Sequence, residues 1–128
     1  MRRLTGAWPV LAEQELPASM ASVEAARALV RGALSSCPEA VVDVARLLVS
    51  ELVTNAIRGS GQPILVRISA REGQVAVAVR DHAPGTPELR ESVADGSDCG
   101  RGLRIVETLS TTWGWTAHGA GKTVWFTI

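Results

Sequence analysis

The sequence has little of several things, and each shortage narrows its chemistry. It carries no excess charge: 13 Lys and Arg stand against 13 Asp and Glu, for a formal net charge of zero. No basic run exceeds Arg2-Arg3, so nothing marks a nucleic-acid or membrane surface. Cys37 and Cys99 are the two cysteines, far apart and in no metal or redox spacing, as two lone thiols in a reducing compartment would be. His82 and His118 fall in different turns with no Cys or carboxylate at ligand spacing, so no zinc site is expected. No Ser sits in a nucleophile elbow. No uninterrupted apolar run reaches the roughly 18 residues of a membrane span. The stretch after Arg2-Arg3 imitates a signal peptide, but Gly6 and Pro9 interrupt it and Glu13 closes it. A soluble, cytoplasmic protein is expected.

What is present suits a globular fold. With 128 residues, 46% hydrophobic and 20% charged, the chain can bury a core without staples and falls outside the disordered class. It shows no repeat and no low-complexity tract. Residues 1–21 read as an N-terminal segment with an edge strand around Ala7 to Ala12, and 22–128 as one domain.

From Glu39 to Arg58 there is no Gly or Pro, and the run is rich in Ala, Leu and Val, as a long helix requires. Asp43, Arg46, Ser50 and Thr54 recur at helical steps and form one stripe able to face water. At roughly 100° per residue, Glu51 and Asn55 lie about 115° from that stripe and share a second face near Leu48 and Leu52. A carboxylate and a carboxamide placed there must find partners. Satisfied core polar groups, a frayed last turn and a ligand site all fit that pattern.

A first helix is expected from Ser22, read as its N-cap, to about Leu34. After Gly59-Ser60-Gly61-Gln62-Pro63 the period changes. Ile64 to Arg71 and Val75 to Asp81 read as strands joined by a Glu72-Gly73 hairpin turn. Asp81 is delivered at a strand end, before Ala83-Pro84-Gly85; a ligand amine and an ordinary turn both use an Asp there. Residues 82–99 form a long connection with a helical turn expected from Glu88 to Ala94. Gly100-Arg101-Gly102 opens a third helix, Leu103 to Leu109, where bare N–H groups suit a phosphate or, equally, a hinge. Trp113 to Ala117 and Thr123 to Ile128 close the chain as a hairpin, its tryptophans packing across strands. Gly119-Ala120-Gly121-Lys122-Thr123 resembles a P-loop but has Thr116 where the first Gly belongs and a strand where a helix must follow, so it is not one. The order is (β)ααββ-loop-αββ, a two-layer α+β sandwich: a mixed, mostly antiparallel sheet with helices on one face.

Taken together, Ser50-Glu51-Leu52-Val53-Thr54-Asn55-Ala56, Asp81-His82-Ala83-Pro84-Gly85, Gly100-Arg101-Gly102-Leu103 and Gly121-Lys122-Thr123-Val124-Trp125-Phe126 resemble, in this order, the boxes of the histidine kinase-like (Bergerat-fold) ATPases. The chain looks most similar to the anti-sigma-factor serine/threonine kinases of actinobacteria. The resemblance implies a fold of that type and ATP with Mg²⁺ as cofactors. It implies Asn55 on the metal, Glu51 as general base, Asp81 accepting the adenine amine and Gly85 lining the adenine pocket. Gly100 and Gly102 would cradle the phosphates, where Arg101 could add a cation or equally point to solvent, and Thr123 would complete the adenine end. It implies a sigma factor and a STAS-type anti-anti-sigma protein as partners, and an exposed first helix or edge strand would permit a homodimer. The alternatives are a nucleotide-dependent binding switch without turnover and a degenerate interaction domain. Ala83 departs from the usual Asp-x-Gly-x-Gly, placing a methyl group that either narrows the adenine pocket or is accommodated.

Overall fold

The computed structural model describes residues 8–59, 61–83 and 99–128, with the backbone alone for 99–103. The elements are β1 (Val10–Leu16), α1 (Ala21–Ala33), α2 (Glu39–Ile57), β2 (Ile64–Arg71), β3 (Gln74–Asp81), α3 (Cys99–Leu109), β4 (Thr112–His118) and β5 (Gly121–Thr127). The strands form one sheet in the order β1-β2-β3-β5-β4. All four pairings are antiparallel, so the described sheet carries no parallel pair and is simpler than the mixed sheet expected.

Strand parity decides which side chains reach the core. Val66 pairs with Val79, Ile68 with Val77, Val77 with Phe126 and Val79 with Val124. Alternation puts all of these on one face, and all are at most 3% exposed. The helices cover that face. On α2 the buried positions Val42, Ala45, Leu48, Val49, Leu52, Val53 and Ala56 recur every three or four residues, the spacing of an apolar stripe wide enough to meet both sheet and neighbours. α2 packs on β2 and β3 on one side and on α1 and α3 on the others.

The Glu72-Gly73 hairpin forms as expected: the two residues have φ of 49° and 81°, the double positive φ of a two-residue turn that matches strand twist. Three local readings change. β1 runs Val10–Leu16, with a register shift between Val10 and Ala12, so Pro9 precedes the strand and the edge strand lies later than Ala7 to Ala12. Met20, not Ser22, is the N-cap of α1. Ser22 is buried and its hydroxyl donates to the Pro17 carbonyl, while Ser19 Oγ accepts from the Ala21 N–H. The polar stripe of α2 is also not wholly given to water. Ser50 Oγ donates to the Arg46 carbonyl one turn back and accepts a 3.0 Å hydrogen bond from Arg27 Nη1 of α1, so α1 covers part of it. At the other end of this helix pair, Arg31 and Glu39 meet at 2.9 Å, and the guanidinium's hydrogen bond holds the Glu39 carboxyl below its ordinary range. Glu88 to Ala94 lies outside the described residues.

Among the described residues no helix is long and apolar enough to cross a membrane. The packing makes a direct prediction. Leu52→Ala, at 1% exposure, is expected to lower unfolding free energy by about 2–5 kcal/mol in urea titration. Leu47→Ala, on the exposed side of the same helix, is expected to change it by under ~1 kcal/mol.

Candidate functional site

α2 supplies the first part of the site. Glu51 and Asn55 are one turn apart and half-buried, beside Leu48 and Leu52 at the core edge. They therefore occupy the border between the apolar stripe and solvent, where a polar side chain can meet a ligand without being lost in the core. Asn55 offers one hard carboxamide oxygen. That suits Mg²⁺, which takes few protein ligands and keeps the rest of its shell for water and phosphate oxygens.

β3 supplies the second part. Val75, Val77 and Val79 point to the helix-covered face, and parity sends Asp81 there too. It is 1% exposed. Oδ1 accepts a 2.9 Å hydrogen bond from the Ala83 N–H, two residues on, which turns the chain out of the strand. Opposite Asp81 in the ladder is Lys122, also buried, with Nζ 3.0 Å from Oδ2. This is charge pairing without hydrogen-bond alignment, and Oδ2 has no hydrogen-bond partner. A buried carboxylate oxygen with an unused acceptor position has room in its bonding for one more donor.

The end of α2 meets the end of β3 here. A Cβ built on Gly59 would lie 2.3 Å from the Ala83 Cβ. The extra methyl group of Ala83 therefore packs against the bare backbone that follows α2, and Gly59 is what accommodates it. The close approach of the two ladder strands at Asp81 has a similar basis: a Cβ on Gly121 would fall 2.0 Å from the Asp81 carbonyl oxygen.

The remaining expected residues are placed less uniformly. Gly100, Arg101 and Gly102 lie within the first turn of α3, which starts at Cys99, earlier than the expected Leu103. α3 packs on α2. Gly85 lies outside the described residues, as does Ser60. Thr123 does not join Asp81. It pairs with Arg80 and so stands on the opposite face of the sheet, where its Oγ1 lies 2.7 Å from His118 Nε2. There it lines a shallow depression with Leu65, Arg67, Ala78 and Arg80. Trp125 shares that outer face, opposite Ala78 and Gly114, whereas Trp113 and Trp115 lie on the inner one.

Sequence reasoning missed Lys122 and Gly59. The signal for Lys122 was available: Val124 and Phe126 are core residues two and four positions later, so period-two alternation assigns Lys122, not Thr123, to the face of Asp81. Gly59 carried no signal beyond ending a helix, because its neighbour across the fold is 24 positions away. The contact is testable by a double-mutant cycle. Gly59→Ala alone is expected to destabilise by about 1–3 kcal/mol through overpacking. In an Ala83→Gly background most of that loss is expected to disappear; additive effects in urea unfolding would separate the two positions.

No curated protein matches the chain. Its fold is similar to the crystal structure of the RsbU and RsbW domains of Rv1364c from Mycobacterium tuberculosis, at a TM-score of 0.67 and 21% identity. That match covers 91% of this chain but 30% of the other, so this chain spans under a third of the solved protein and the likeness concerns the fold. Residues 16–128 match the histidine kinase-like ATPase domain, a span running from the last residue of β1 through β5. The chain belongs to the histidine kinase-like ATPase domain family.

Proposed function

We propose that this protein binds ATP with Mg²⁺ and transfers the γ-phosphoryl group to a serine or threonine of a STAS-type anti-anti-sigma protein, while also holding a sigma factor in the cytoplasm. The observation that carries the nucleotide part is Asp81: a carboxylate 1% exposed, on the helix-covered face, with a hydrogen-bond position of Oδ2 unused. An exocyclic amine on a base is a donor of the kind this oxygen lacks. The family assignment over residues 16–128 supports ATP as the nucleotide. The RsbW domain in the name of the structural neighbour supports the anti-sigma kinase reading.

In this reading the chain does its work by position and charge, as phosphoryl transfer generally requires. Asp81 and Gly85 hold the base. Gly100, Arg101 and Gly102, in the first turn of α3, are the residues assigned to the phosphates, since helix N-terminal N–H groups favour anions. Asn55 holds Mg²⁺, which when bound neutralises phosphate charge. Glu51, one turn earlier on the same face of α2, takes the proton from the acceptor hydroxyl.

The test is transfer from radiolabelled ATP to a recombinant STAS-domain protein from the same genome. Glu51→Ala is expected to cut transfer by about a hundredfold or more with nucleotide affinity changed only a few-fold, and Asn55→Ala to abolish the Mg²⁺ dependence of binding. Undiminished transfer by Glu51→Ala would remove Glu51 from the base role. Nucleotide binding without transfer to any such protein would favour a nucleotide-gated binding switch instead.

A further inference from the structure

The proposed nucleotide site leaves Lys122 without a part, although it is among the few buried charged side chains described. Its Nζ lies 3.0 Å from Asp81 Oδ2. As simple neutralisation, this pair leaves the carboxylate short of one hydrogen bond, because Oδ2 has no aligned donor. Burying two charges is costly unless their remaining donors and acceptors are also met. An ammonium carries three donors, and a single carboxylate oxygen cannot use them all. The pair thus sets an unused acceptor position on Asp81 Oδ2 beside an ammonium able to donate more than one hydrogen bond.

We propose that Asp81 and Lys122 together read the edge of the base, with Lys122 donating to the ring nitrogen that adjoins the amine held by Asp81. The inference rests on the nucleotide reading above and adds a residue that fixes base specificity. The chemistry matches atom for atom. Adenine presents a donor, its exocyclic amine, next to an acceptor, ring nitrogen N1. The protein presents an unused acceptor position next to donors. The base then donates to the open position on Asp81 and accepts from Lys122 at once. A 6-oxo purine presents the reverse order and sets its carbonyl oxygen against the carboxylate. Parity fixes the arrangement: Asp81 and Lys122 are ladder partners on one face, and the close strand approach at Gly121 holds their backbones in place.

The experiment compares ATP with 1-deaza-ATP, which keeps the amine but lacks the N1 acceptor, and with 7-deaza-ATP, altered away from that edge. Binding is measured calorimetrically on the intact chain. The wild type is expected to bind 1-deaza-ATP about tenfold or more weakly than ATP, as for a lost hydrogen bond to a charged group, and 7-deaza-ATP nearly as well as ATP. Lys122→Met is expected to bind ATP and 1-deaza-ATP alike, with Lys122→Val as the second variant if the first does not melt cooperatively. Equal wild-type affinities for ATP and 1-deaza-ATP would overturn the proposal, whether or not either variant folds. A preference that survives in the variants would overturn it too, assigning N1 to another donor. If the wild type binds no adenine nucleotide, the nucleotide reading itself fails. Binding of ATP with no N1 preference leaves that reading standing and removes only Lys122.

Discussion

A carboxylate that is 1% exposed sets the terms for everything near it. Asp81 is out of water at the end of β3, and a charge there must be met by opposite charge and by donors. Three features supply them or make room for them. The chain turns at once so that the Ala83 N–H reaches Oδ1. The neighbouring strand sets Lys122 opposite. Gly121 removes the side chain that would otherwise strike the Asp81 carbonyl. Among the described residues one hydrogen-bond position on Oδ2 remains open.

The architecture serves that position. Antiparallel pairing of β3 with β5 brings two distant segments into register, and the apolar stripe of α2 lies over the same face. Because α2 ends beside Ala83, its last turns carry Glu51 and Asn55 toward the end of the sheet where Asp81 emerges. The methyl group of Ala83, which the sequence made a question for the adenine pocket, is taken up by Gly59. The departure from the family's glycine is therefore matched within the scaffold, and its cost falls on which residue can follow α2.

Much of this was legible in the sequence. Strand periodicity with a two-residue turn gave β2 and β3 to within a residue, since Glu72-Gly73 permits few other conformations. The length of α2 followed from an uninterrupted run of helix formers closed by Gly59. What was not legible depended on tertiary context. Ser22 looked like a cap, yet its hydroxyl is spent on Pro17 and Ser19 takes the exposed amide. Ser50 looked like a solvent residue until α1 brought Arg27 to it. Thr123 matches the motif by residue type, yet alternation along β5 places it on the outer face and its neighbour Lys122 on the face of Asp81. Motif letters say which chemistry is present, and parity says which side of the sheet receives it.

The proposed role of Asp81 is that of the base-binding carboxylate of an ATP site. Its most direct test is calorimetric titration of Mg-ATP into the wild type and into Asp81→Asn, with urea unfolding to show that both are folded. With Asp81 in that role, the wild type gives a saturable isotherm and Asp81→Asn an affinity lower by about tenfold or more, where a charge-assisted hydrogen bond is lost. Equal affinity in the two proteins, or no binding by the folded wild type at millimolar ATP, would contradict it.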